Sequence, residues 1–176
     1  MMEPPPVIEE EFQDWYDTEH FPERANCEGF LTAHRFICID GWPRYLALYD
    51  LADTDVLRGP AYARIAGERC SPWTHRIVSR VWGQYRADAA QVHPGTALFG
   101  DAGAAARIAV WRLRHAPIAA EPLILAGTDY IAIAELRGPQ SPGGVEAFGE
   151  AARHVDLLNV YVPYTRRLAG AFPKGG

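Results

Sequence analysis

A seven-residue β pattern occurs twice in this chain, and it constrains the fold more than any other feature. Tyr45–Leu51 reads YLALYDL, and Tyr130–Leu136 reads YIAIAEL. Each copy follows one predicted strand, and each precedes a predicted helix and a further strand. The shared order of strand, strand, helix and strand predicts an internal duplication of one structural unit.

Periodicity and turn signals predict the elements of the first half. A helix is predicted over residues 9–21, because Pro22 disfavours helical geometry at Phe21 and the regular helix should stop or restart there. Strands are predicted over 30–39 and 44–51, joined by a turn that contains an Asp-Gly step. The remaining elements of this half are predicted as helices over 60–67 and from Pro72, and a strand over 77–85.

The second half is predicted to repeat this order after a polar connector. Strands over 108–113 and 130–136 are followed by a helix over 143–154 and a strand over 157–164. A strand–helix–strand–strand–helix–strand unit is the ferredoxin-like motif, so the predicted class is α+β with antiparallel sheets. The predicted halves are 1–90 and 91–176, and their sheets could merge into one barrel domain.

The first half lacks an obvious opening strand for such a unit. Residues 1–3 are few, and the three prolines that follow them, Pro4, Pro5 and Pro6, cannot donate backbone hydrogen bonds to a sheet. The second half lacks an obvious first helix. Neither half is therefore predicted to be a complete copy of the unit.

Charge and hydropathy exclude two classes of partner. The formal net charge is -5 and the isoelectric point is near 5.7, whereas nucleic acids and anionic membranes need a basic face. No apolar run approaches the roughly 20 residues that cross a bilayer. We therefore expect neither a nucleic-acid partner nor a membrane partner.

The cysteine and histidine spacings predict a cytoplasmic protein without a metal site. The three cysteines show no CxxC spacing and are expected to be reduced thiols. The histidines outside the first helix and hairpin show no HxH or HxxxH spacing, and metal ligation is not expected. These histidines are His75, His93, His115 and His154.

The first helix carries an apolar stripe with a polar end. Phe12, Trp15, Tyr16, Glu19 and His20 fall on one face at helical spacing. An imidazole is the side chain best suited to move a proton near neutral pH. The stripe therefore nominates His20 as a candidate catalytic residue.

Neighbours of His20 supply compatible chemistry. Tyr16 could donate a hydrogen bond to a developing oxyanion, and Glu19 or Arg24 could orient the imidazole or bind an anionic substrate. The catalytic candidates are His20, Tyr16 and Arg24. In the structural alternative, His20 caps backbone carbonyls while Glu19 and Arg24 form a local ion pair.

Four residues of the hairpin are candidates for substrate contacts. His34 shares one strand face with Phe36, and Arg35 lies on the other face. Inward-facing His34 could join His20, Arg35 could anchor an anion, and Tyr45 and Tyr49 share a face that could form an aromatic wall. The alternatives are a surface or internally paired His34 and tyrosines that belong to the core.

The same segment resembles the EthD-like proteins of the dimeric α+β barrel superfamily. Residues 15–24 read WYDTEHFPER, a Gly-Phe step follows at 29–30, and the next strand contains AHRF at 33–36. The resemblance covers residues 7–86. It implies a ferredoxin-like fold paired into a barrel, as a homodimer or an intramolecular pseudo-dimer, with a small-molecule cleft between sheet and helices.

The wider superfamily of the EthD-like proteins includes cofactor-free isomerases, dehalogenation- and oxygenation-associated proteins and haem enzymes. Three functional hypotheses follow from the residues and from this resemblance. The first is proton transfer on a small aromatic or carbonyl compound without a dissociable cofactor, with His20 as general acid or base. The second is a non-catalytic protein that binds a small ligand or serves in assembly. The third is haem binding through His20 or His34. A cavity beside His20 is required by the first hypothesis.

Overall fold

An antiparallel sheet with helices against one face organises the protein. The computed structural model describes residues 1–91, 107–113, 130–136 and 155–164. The helices are α1 (Glu9–Trp15), α2 (Phe21–Ala25), α3 (Pro60–Ala63) and α4 (Pro72–Val78). The strands are β1 (Phe30–Asp40), β2 (Tyr45–Leu51), β3 (Arg107–Leu113), β4 (Tyr130–Leu136) and β5 (Val155–Pro163). The predicted α+β class is confirmed.

Strands from both predicted halves belong to one sheet. The order is β2-β1-β5-β3-β4, and every pair of neighbours is antiparallel. The predicted hairpin is confirmed, since β1 and β2 pair from Phe30–Leu51 at one end to Ile37–Tyr45 at the other. The strand β5 lies between β1 and β3 and so joins the hairpin to the second half of the sequence.

Alternation along the strands separates two apolar cores on the two faces of the sheet. The helix-side core contains aromatic residues of α1 and β2 together with a residue of α4. Its buried members are Phe12, Trp15, Tyr16, Tyr45 and Ile77. The buried members of the opposite core are Phe36, Leu46, Ile108, Val110 and Tyr161.

The first helix does not end before Pro22. A wide π turn, Tyr16–His20, follows α1 and is closed by the Phe21 N–H group, which donates to the Tyr16 carbonyl. Pro22 then lies in the first turn of α2, where the missing N–H group is tolerated. The helix thus restarts at Phe21, as the proline predicts, and the π turn was not predicted.

The opening strand is present in a shortened form, contrary to expectation. Met2 exchanges two backbone hydrogen bonds with Tyr45, at 2.8 and 3.1 Å. On its other side, Glu3 exchanges two with Trp82, at 2.9 and 2.7 Å, and the Tyr85 N–H donates to the Met1 carbonyl at 3.1 Å. Residues 1–3 therefore lie between β2 and the segment that follows α4.

The predicted strand over 77–85 is wrong, because α4 occupies the first part of this range. Ser71 caps α4, since its Oγ accepts from the Thr74 N–H group at 2.9 Å, and Pro72 begins the helix. Ile77 and Val78 pack against the first helix, and only Trp82 forms a β bridge. The predicted helix over 60–67 is shorter, because α3 ends at Ala63.

The strands of the second half lie close to their predicted positions. β4 has the predicted bounds, β3 begins one residue early, and β5 runs from Val155 to Pro163. The predicted helix over 143–154 lies outside the described residues. The duplication stays a prediction.

Candidate functional site

A cavity of about 900 Å³ follows the outer edge of β2. The helix side of its wall carries Tyr16, His20 and Arg24, and residues 84–91 face β2 across it. The opposite side is apolar and includes Leu46, Leu48, Val110 and Ile131. The required cavity beside His20 is therefore present, and the three predicted catalytic residues all line it.

His20 is buried and incompletely paired. Its ring lies 4.3 Å from the Trp15 ring and 5.0 Å from the Tyr16 ring, measured between centroids. Its Nδ1 atom is enclosed and has no hydrogen-bond partner in the described part of the chain. Buried polar atoms are nearly always paired, so an unpaired nitrogen beside a cavity marks a candidate site.

The electrostatic setting keeps His20 neutral. Burial, reinforced by the positive charges of Arg24 and Arg35, lowers the pKa of His20 to about 2. A neutral imidazole carries one N–H donor and one acceptor nitrogen. At physiological pH the ring can therefore donate one hydrogen bond and accept another.

Arg24 brings positive charge to the same wall. Its guanidinium is buried, with Nη1 donating to Glu23 at 3.0 Å and Nη2 donating to the Ile65 carbonyl at 3.1 Å. The predicted alternative of a Glu19–Arg24 ion pair is wrong, because Glu23 is the partner. Arg24 thus remains a candidate to attract a negatively charged group into the cavity.

Glu19 fastens α4 to the first helix. Its carboxylate accepts hydrogen bonds from Ser71 and, at 3.1 Å, from Thr74 Oγ1, while Trp15 Nε1 donates to Thr74 Oγ1 at 2.9 Å. The carboxylate is therefore occupied by α4, and the predicted role of Glu19 in orienting His20 is not supported. This network instead fixes the helical wall of the cavity.

Replacing Ser71 with alanine is expected to lower the free energy of unfolding by about 1 kcal/mol, because α4 loses its N-cap. Urea unfolding followed by circular dichroism measures the change. Ser79→Ala serves as the matched control, since Ser79 is exposed at the other end of α4. Equal unfolding midpoints for the two variants would contradict the assigned cap.

Two tyrosine hydroxyls complete the polar wall. Burial raises the pKa of Tyr16, although Arg35 opposes it. Burial also raises the pKa of Tyr49, and the neighbouring Tyr16 hydroxyl adds to this effect. The Tyr49 hydroxyl is enclosed without a well-formed hydrogen bond. Both phenols stay protonated at neutral pH and can serve as donors.

Arg35 was predicted as an anion anchor, and the structure does not place it among the residues that line the cavity. Its guanidinium lies between the Tyr16 and Tyr164 rings, 4.0 and 4.2 Å from their centroids. It donates to Asp17 and, at 2.9 Å, to Gln13. Arg35 therefore joins β1 to the first helix through a buried ion pair.

His34 and Tyr45 also lie away from their predicted roles. His34 pairs across the sheet with Leu48 and lies on the face of Phe36, whereas His20 packs on the helix face. His34 thus does not join His20. Tyr45 contributes to the cavity wall, but its hydroxyl donates to Glu9 at 2.6 Å and is already engaged.

Several cavity residues were not predicted. Asp50 lines the cavity and accepts a hydrogen bond from Thr32, and its position at the end of the repeated β pattern was the available signal. Thr74 lies in the helix that was predicted from Pro72, but it was not predicted as a cavity residue. Residues 84–91 follow a wrongly predicted strand, so no sequence signal placed them opposite β2.

Comparison with known proteins finds no matching family model, no matching curated protein and no matching solved structure. Within the described ranges, no helix combines the length and apolar character needed to cross a membrane. In the same ranges, no three side chains of the metal-binding types come together. The cavity and its lining residues are therefore the basis for inferring a function.

Proposed function

We propose that this protein is an EthD-like enzyme that transfers a proton on a small aromatic or carbonyl compound, without a dissociable cofactor. One observation carries the proposal: the neutral His20 ring, whose enclosed Nδ1 has no hydrogen-bond partner in the described residues, lies in the wall of a large cavity between Tyr16 and Arg24. The apolar side of the cavity suits an aromatic ring.

Three kinds of lining residue have separate roles in the proposed reaction. A tyrosine hydroxyl donates to the substrate oxygen, and Arg24 stabilises the negative charge that develops there. The proton leaves the carbon next to the carbonyl group and moves to His20, which gives an imidazolium beside an enolate. The enolate offsets the neighbouring arginine charges and raises the basicity of His20 at that moment.

The pairing of the first half supports the proposed fold family. The segment at Trp82, residues 1–3, β2 and β1 lie side by side in that order. This is the order of the fourth, first, third and second strands in a ferredoxin-like unit. We propose that 91–176 is a diverged second copy, and that the barrel closes within the chain or in a homodimer.

Hydrogen exchange tests the proposed activity. With 2-tetralone in deuterated water, the protein is expected to speed exchange of the hydrogens next to the carbonyl, followed by NMR. His20→Gln is expected to lose the effect, with a reduction of about 100-fold or more. His34→Gln is the matched control, because His34 lies on the other face of the sheet. Equal rates for both variants and the wild type would overturn the proposal.

The low pKa of His20 favours a second candidate, a binding protein without catalysis. A ring with a pKa of about 2 accepts protons poorly at neutral pH, yet Arg24 and the tyrosine donors can still hold an oxyanion. The probe is 4-nitrophenol, whose phenolate form absorbs at longer wavelength. Binding as phenolate without exchange of 2-tetralone hydrogens supports this candidate.

Haem binding is the third proposal, and only His20 of the two predicted ligands lines the cavity. The position of His20 in the wall and the cavity volume fit such a role. Titration with haemin would then give a Soret band that disappears in His20→Gln and persists in His34→Gln. A spectrum that is unchanged by His20→Gln excludes His20 as the ligand.

A further inference from the structure

The outer edge of β2 presents backbone groups to the cavity. Tyr45 directs its N–H and C=O groups away from β1, since both bond to Met2. Backbone groups alternate in direction along an antiparallel strand, so those of Ala47 and Tyr49 also point outward. In the part of the chain that the structure describes, they have no backbone partner on that side.

The space beside this edge has the width of one strand. At its near end, residues 1–3 lie extended and hydrogen-bond to β2 on one side and to Trp82 and Tyr85 on the other. Neighbouring strands are about 4.8 Å apart, so the two walls there are two strand spacings apart. The cavity continues from this point between β2 and residues 84–91.

Side-chain environments alternate along the path that residues 1–3 follow beside β2. Met1 packs against the core that contains Leu46, whereas Met2 packs against the helix-side core that contains Tyr16. A strand that continued this path along β2 would place alternate side chains against the apolar side of the cavity and against its polar wall. Residues on the helix side would direct their N–H groups to β2, as Met2 does.

We propose that the space between β2 and residues 84–91, called the slot below, binds an extended peptide segment of a partner chain. This segment adds a strand antiparallel to β2. The segment would carry apolar residues at alternate positions, facing Leu46 and Leu48, and small polar residues facing Tyr16 and His20. Unpaired backbone groups at an enclosed edge are costly, and an added strand satisfies both the peptide and β2. This inference depends on the backbone of β2 and goes beyond the proposed catalysis.

Two synthetic peptides test the slot. The probe is fluorescein-labelled Lys-Val-Thr-Val-Thr-Val-Thr-Lys, with valines for the apolar side and threonines for the helix side. Its control carries a methyl group on each threonine nitrogen, which removes the N–H groups that would face β2. Fluorescence anisotropy is expected to show saturable binding of the probe and binding about tenfold or more weaker for the control.

A protein variant tests the same contact from the other partner. Ala47→Pro removes an N–H group that points into the slot and does not bond to β1, so the hairpin is retained. It is expected to weaken probe binding about tenfold, whereas Ala47→Ser, which keeps the N–H group, leaves binding unchanged. No saturable binding of the probe, or equal affinity for the probe and its methylated control, would overturn the proposal.

The test of peptide binding can be distinguished from the test of the proposed enzyme activity. His20→Gln abolishes the proposed hydrogen exchange but leaves the backbone edge of β2 intact. Because a peptide side chain would face residue 20, the measured quantity is the ratio of the affinities for the probe and its methylated control, and this ratio is expected to stay about tenfold or more in the variant. Equal affinity of the variant for the probe and its methylated control would show that the peptide does not bond to the backbone of β2, and it would overturn strand addition.

Discussion

Replacing Arg35 with methionine is expected to lower the free energy of unfolding by about 3–5 kcal/mol. The side chains of Arg35 and Asp17 are only 6% and 8% exposed, so the variant takes the Arg35 guanidinium away from a buried carboxylate. The variant also removes the guanidinium from between two tyrosine rings. Urea unfolding followed by circular dichroism measures the loss.

Two control variants test whether the loss of stability arises because the ion pair is buried. Arg58→Met breaks the Arg58–Asp55 pair, whose side chains are 77% and 82% exposed, and is expected to change stability by less than about 1 kcal/mol. Adding Asp17→Leu to Arg35→Met also removes the buried carboxylate charge and is expected to recover part of the stability. Equal losses for Arg35→Met and Arg58→Met would disprove the buried ion pair.

Acid is expected to destabilise the wild type more steeply than the His20→Gln variant. The pKa of His20 is about 2 in the folded chain, against 6.5 for an ordinary histidine. The unfolded chain therefore binds a proton below pH 6.5 that the folded chain does not. The contribution is fully favourable above pH 6.5 and is lost progressively as the pH falls toward 2.

The expected difference is about 1.4 kcal/mol per pH unit below 6.5. Urea unfolding of both proteins between pH 7 and 4 gives the two slopes, and glutamine keeps an amide of similar size without titrating in this range. Parallel slopes would mean that His20 is accessible to water and protonates normally in the folded state. The electrostatic basis of the proposed chemistry would then be lost.

Local patterns accounted for the hairpin and for the polar end of the first helix. The Asp-Gly step and strict alternation suffice to place β1 against β2, since neighbouring residues determine both. The stripe from Phe12 to His20 is buried for the same reason, because helical spacing alone puts these residues on one face. Tyr16 and His20 could therefore be nominated correctly for the cavity wall.

Contacts between distant segments account for the errors. Arg35 was predicted to bind an anion, yet the anion it meets is Asp17 of the first helix, which no local pattern reveals. The apolar residues Ile77 and Val78 suit a strand as well as a helix, and their packing against the first helix decides between them. The position of β5 between β1 and β3 is likewise a long-range choice.

The π turn makes the length of the first helix a requirement of the cavity wall. It places one additional residue in a helical turn, and the exposed Thr18 lies within it. Deleting Thr18 would let the turn relax to an α-helix with little rotation of the residues beyond it, because the π turn already absorbs the additional residue. An inserted residue would instead rotate everything beyond it by about 100°. Arg24 would then leave the wall while the upstream stripe stayed packed. Substitution or deletion of Thr18 should be tolerated, whereas an insertion there should separate folding from binding.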